Sequence, residues 1–82
     1  MEYRTSDTPL AAYLQTQGHI PSAIDYSNPP RFEIVFANSD DGIRNLALRY
    51  GAGLAKVEPI AFNRILRKFN RILRNQVQWE DD

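Results

Sequence analysis

Arg64, Arg67, Lys68, Arg71 and Arg74 recur through the stretch FNRILRKFNRILRN at helical spacings, with no acid between them. Cations so spaced share one side of a helix, and their chemistry is the binding of phosphates or carboxylates. The other reactive residue types are sparse. Cysteine is absent and histidine occurs once, at His19, which removes disulfides, thiolate metal sites and zinc ligation from consideration. A general base at His19 needs a partner, and the sequence shows none; its place after Gly18 is that of a histidine at a helix C-terminus, where the helix dipole favours the cation. Asp40-Asp41 lacks the alternating acids of a calcium loop and reads as a helix cap. Ser6, Ser22, Ser27 and Ser39 fall in turn, cap or strand contexts, without a nucleophile elbow. No enzyme activity, cofactor or metal is therefore expected.

With 82 residues the chain is long enough for one small domain over 1–82, whose core is modest. Ten Lys and Arg balance ten Asp and Glu. That neutrality hides an asymmetry. Residues 60–75 carry five cations and no acid, while Glu80, Asp81 and Asp82 form an acidic tail that is expected to be disordered. Charge separation of this kind bears on partners rather than on fold. The opening MEYRTSDTPL has no apolar core of a signal peptide, and no run approaches a membrane span. A reducing, cytoplasmic setting is the expectation.

The elements that must position the cations follow from pattern. TSDT at 5–8 supplies caps and Pro9 suits a first turn, so a helix should start at Asp7 or Thr8 and run to about Gln17, with Leu10, Ala11 and Leu14 inward and Gly18 closing it. Ile20, Ile24 and Tyr26 share one face of an extended segment, which Pro21 restricts to an edge strand. Ser27-Asn28-Pro29-Pro30 is turn chemistry. RFEIVFA then alternates, with Phe32, Ile34 and Phe36 inward and Arg31 and Glu33 outward; Val35 and Ala37 make the outer face less polar. Ser39-Asp40-Asp41 should cap a second helix over about 41–50, ended by Gly51. GAGLAKV connects, with Leu54 and Val57 as apolar anchors. Pro59 opens a third helix to about Gln78. The fold class predicted is α+β in the order α-β-β-α-α, a two-stranded antiparallel hairpin packed on helices.

On a wheel at 100° per residue, Phe62, Ile65, Leu66, Phe69, Ile72, Leu73 and Val77 lie within about 80° of one direction. The five cations lie within about 60° of the opposite one. Two heptads are too few for a coiled coil, and the stripe is wider than an a/d seam, so the doubled phrase reads as one amphipathic helix against a core. Exposed helix faces usually mix signs, because oppositely charged i,i+4 pairs stabilise; five like charges repel. Trp79, beside the acidic tail, is a candidate aromatic contact, and packing within the fold is the favoured use of both Trp79 and Tyr3.

The motifs Y-x-T-S-D-x-x-L-A-A-Y-L (Tyr3 to Leu14), G-H (Gly18-His19), F-E-I-V-F (Phe32 to Phe36), Tyr50-Gly51 and V-E-P-x-x-F (Val57 to Phe62) cover nearly the whole chain. Together they resemble a family of small bacterial and phage proteins known only as a domain of unknown function. The resemblance implies a prokaryotic or phage setting and supplies no active-site residues.

Two functions follow. One is a small non-enzymatic accessory or interaction protein with a macromolecular partner, either another protein or, as a homodimer, itself. The other is a nucleic-acid-binding accessory domain that contacts phosphates through Arg64, Arg67, Lys68, Arg71 and Arg74. Zero net charge and the lack of a base-reading cluster weigh against the second; the acid-free cationic face weighs for it.

Overall fold

The computed structural model describes residues 2–37 and 41–79; the expected caps Ser39 and Asp40 and the expected tail at 80–82 lie outside the described residues. Its elements are β1 (Tyr3–Thr5), α1 (Thr8–Thr16), β2 (Ala23–Asp25), β3 (Glu33–Phe36), α2 (Asp41–Gly51) and α3 (Pro59–Asn75). The α-β-β-α-α order is present, with one addition. β1 pairs antiparallel with β3 on the side opposite β2, so the hairpin becomes a three-stranded sheet of order β1-β3-β2. A three-residue strand, YRT, holds a single alternation and carries no periodic signal of its own.

Asp7 caps α1 as expected: its backbone is extended and its Oδ1 accepts from the Leu10 N–H at 3.1 Å. The helix then runs uncharged through Leu10, Ala11, Ala12, Tyr13 and Leu14, all buried. It is therefore the central helix, in contact with α3, α2 and β1. The small Ala11 and Ala12 let neighbouring backbones approach. Around α1 the interior closes with Ile34 and Phe36 from β3, Ile43 from α2 and Phe69 from α3, each at most 2 % exposed.

All three helices end in the same hydrogen-bonded loop. In α1 the His19 N–H reaches Leu14 O at 3.1 Å across Gly18, whose φ is 98°. In α2 the Leu54 N–H reaches Arg49 O at 2.9 Å across Gly53, φ 77°. Gly51, expected to end this helix, is its last residue; the left-handed position falls two residues later, at Gly53. In α3 the Val77 N–H reaches Ile72 O at 3.2 Å across Gln76, φ 54°. That third turn stops α3 at Asn75, short of the expected Gln78. A left-handed residue with a side chain costs about 1 kcal/mol that glycine avoids. Gln76→Gly should therefore raise stability by roughly 0.5–1 kcal/mol, read as a later thermal midpoint.

The connection from α2 to α3 differs from expectation as well. Leu54 and Val57 are 56 % and 37 % exposed and anchor nothing; Ala55 between them packs on the core instead. The left-handed Gly53, two residues after α2, turns the chain so that Leu54 faces outward.

Candidate functional site

α3 starts at Glu58, whose Oε2 accepts from the Ala61 N–H at 2.7 Å, with Pro59 in the first turn. Its apolar side meets the core through Phe69 and Ile72, which are buried, and through Phe62, Ile65, Leu66 and Leu73, which are partly so. That burial fixes the rotation of the helix and turns the opposite side to solvent. Arg64, Arg67, Arg71 and Arg74 are all exposed there. They occupy positions i, i+3, i+7 and i+10, a row about 15 Å long at 1.5 Å per residue. The exposed amides of Asn63 and Asn70 border it. No described carboxylate pairs with any of the four; the ion pairs among the described residues all belong to Arg4.

Lys68 leaves this row. It is partly buried, and its Nζ lies 4.3 Å from the centroid of the Trp79 ring, a cation–π contact. Trp79 itself packs on Phe69, ring centroids 4.6 Å apart, and is partly buried. It is held within the fold rather than presented as a free stacking platform. The five expected cations are thus four in an open row and one drawn onto an indole.

The segment that carries Trp79 is tied down along its length. The Gln78 side-chain amide accepts from the Ile24 N–H and donates to Ile24 O, both at 2.8 Å. The Tyr26 hydroxyl donates to Val77 O at 2.6 Å and stands 3.2 Å from Ile72 O; burial pushes its pKa up. Neither Gln78 nor Tyr26 carries a local sequence signal for this, because the contacts bridge positions about fifty residues apart.

The outer face of the sheet is of opposite sign. Arg4, opposite Val35 in β3, bonds Glu2 (2.7 Å), Asp25 (2.7 Å) and Glu33 (3.2 Å). Val35 stands between Arg4 and Ala23 in register and is buried, which accounts for an apolar residue on this face. Hydrogen bonds from Ser27 first, and then from Arg4, hold the Asp25 carboxyl well below the usual carboxylate range. A carboxylate depressed in the folded state adds stability above its unfolded pKa, about 3.9, and loses it as pH falls through the folded value. Urea midpoints measured from neutral pH downward should therefore fall below about pH 4. In Arg4→Met that fall should be shallower.

An open cleft of about 570 Å³ adjoins this network, lined by Ser6, Asp25, Ser27, Asn28, Arg31 and Glu33. Its two carboxylates are engaged by Arg4, and no histidine lines it. His19 is partly buried at the end of α1, with its backbone N–H closing the helix. Among the described residues no group of three His, Cys, Asp or Glu could hold a metal ion, and no helix is long and apolar enough to cross a membrane. A scan against protein-family models and searches of curated proteins and of solved structures found no match to this chain.

Proposed function

We propose that the protein is a small non-enzymatic interaction module of a bacterium or phage, acting in the cytoplasm, that binds an anionic macromolecule through the exposed side of α3. Nucleic acid is the partner this side fits best. The observation that carries the reading is the row Arg64, Arg67, Arg71 and Arg74: exposed, and unpaired with any described carboxylate. Like charges three or four residues apart cost an isolated helix about 0.2–0.5 kcal/mol per pair. A phosphate backbone relieves that repulsion and accepts from planar guanidinium forks. The flanking amides of Asn63 and Asn70 add shorter neutral donors beside the row.

Contacts of this type are sequence-independent, so the expected affinity for a short duplex is micromolar at about 50 mM salt. Fluorescence anisotropy of a labelled duplex tests it. The second reading is a protein partner, supported by the zero net charge and by the acidic outer face of the sheet. If the duplex stays unbound at low salt, the nucleic-acid reading fails and the protein partner takes its place.

A further inference from the structure

We infer that the α2–α3 connection and the first turn of α3 form a docking surface for an anionic phospholipid bilayer. Leu48, Leu54, Val57 and Ile60 are 72, 56, 37 and 68 % exposed. They are four of the six large apolar side chains exposed among the described residues, and all fall within residues 48–60. The Leu54 N–H bond to Arg49 O brings Leu54 back to the end of α2, which carries Leu48. Val57 and Ile60 stand on either side of the Glu58 cap and Pro59. A single exposed apolar residue is ordinary; a run of them marks a contact surface.

The charges around this run say what it meets. Arg49, Lys56, Arg64 and Arg67 are exposed, and Glu58 is the one acid in residues 49–67. Three of the chain's other acids, Glu2, Asp25 and Glu33, are gathered on Arg4. On a wheel at 100° per residue Ile60 falls among the arginines of α3, so an apolar tip and the cations face the same way. Each cation held near an anionic leaflet strengthens partition several-fold, and apolar side chains that sink below the headgroups add to it.

A bilayer also suits the shape of the residues. Side chains more than half exposed project from the surface, and a protein partner needs a matching pocket for each. A fluid interface takes them without one. The backbone here is prepared for a drier medium. The N–H groups of Ala52, Gly53 and Leu54 bond Leu48 O, Tyr50 O and Arg49 O, and those of Ala61 and Phe62 bond Glu58. Pro59 has none to satisfy.

Vesicle sedimentation and a site-specific dye on the full chain test the inference. The wild type should bind vesicles of phosphatidylcholine with about 30 % phosphatidylglycerol at about 50 mM salt, and pure phosphatidylcholine far more weakly. Leu54→Ser with Ile60→Ser should weaken that binding about tenfold or more. Its thermal midpoint should not fall, because neither side chain belongs to the core. The chain has no cysteine, so Ile60→Cys accepts one environment-sensitive nitrobenzoxadiazole dye. Its emission should rise and shift to the blue on the anionic vesicles, while the same dye on Asn28→Cys, in the β2–β3 turn, should not respond. Duplex binding by the double serine variant should match the wild type, which keeps this result apart from the fate of the nucleic-acid reading. A wild type that stays off the anionic vesicles overturns the inference and leaves the surface to a protein partner. Equal vesicle binding by the serine variant, or a dye at position 60 that stays in water on bound protein, overturns it too.

Discussion

Arg67→Glu combined with Arg71→Glu should weaken duplex binding by on the order of 100-fold or more at about 50 mM salt, because two phosphate contacts become repulsions. Both residues sit in the middle of the α3 row, and both side chains are exposed. The same change should not unfold the protein. It replaces like-charged spacings, Arg64 with residue 67 and Arg74 with residue 71, by opposite-charged ones, each worth a few tenths of a kcal/mol. Equal or slightly higher thermal stability is expected alongside the lost binding. A matched control separates the face from net charge. Arg31→Glu with Lys56→Glu makes the same total charge change at exposed positions in the β2–β3 turn and the α2–α3 connection. It should cost far less affinity. Equal losses in the two double variants would mean that overall charge, and not the row on α3, governs the interaction.

Phe69→Ala should cost about 3–5 kcal/mol. Domains of this size have total stabilities of order 5–15 kcal/mol, so the variant should be close to unfolded at ambient temperature. Phe69 is fully buried, lies in the cluster around α1 and carries the Trp79 ring, so its loss opens a cavity and frees the indole together. Phe62 is the same letter of the doubled phrase, one heptad earlier, but is only partly buried. Phe62→Ala should cost clearly less, as its site is half open and water replaces part of the lost contact. Urea titration of both variants reads the difference. Equal losses would mean that the two halves of FNRILRKFNRILRN do the same structural work, which their burial contradicts.

The sequence was legible wherever a pattern was long or a local rule strong. The apolar and cationic halves of α3 come from a sustained 3.6-residue period. Asp7 and Pro9 at the start of α1 and Gly18 at its end come from cap chemistry, and the β3 alternation comes from four residues in a row. What was not legible depends on chain reversals. β1 is three residues long and is a strand only because β3 offers it an edge. Leu54 looked like an anchor by composition, yet the left-handed turn at Gly53, just after α2, points it outward. Lys68 belongs to the cationic half on any wheel; it differs from the four arginines because Gln76 turns the chain back and returns Trp79 to it. Gln78, polar and next to the tail, reads as helix surface in sequence and serves as a sheet edge in the fold.

The salt dependence of duplex affinity tests the role of the α3 row most directly. Four arginine–phosphate contacts predict that log affinity falls against log salt with a slope of roughly −3.6, close to a hundredfold loss between about 50 and 200 mM. Single replacements of Arg64, Arg67, Arg71 or Arg74 by alanine should each make that slope shallower by roughly 0.9. A slope near zero, or no binding at about 50 mM salt, would contradict the assignment of this face to a phosphate backbone.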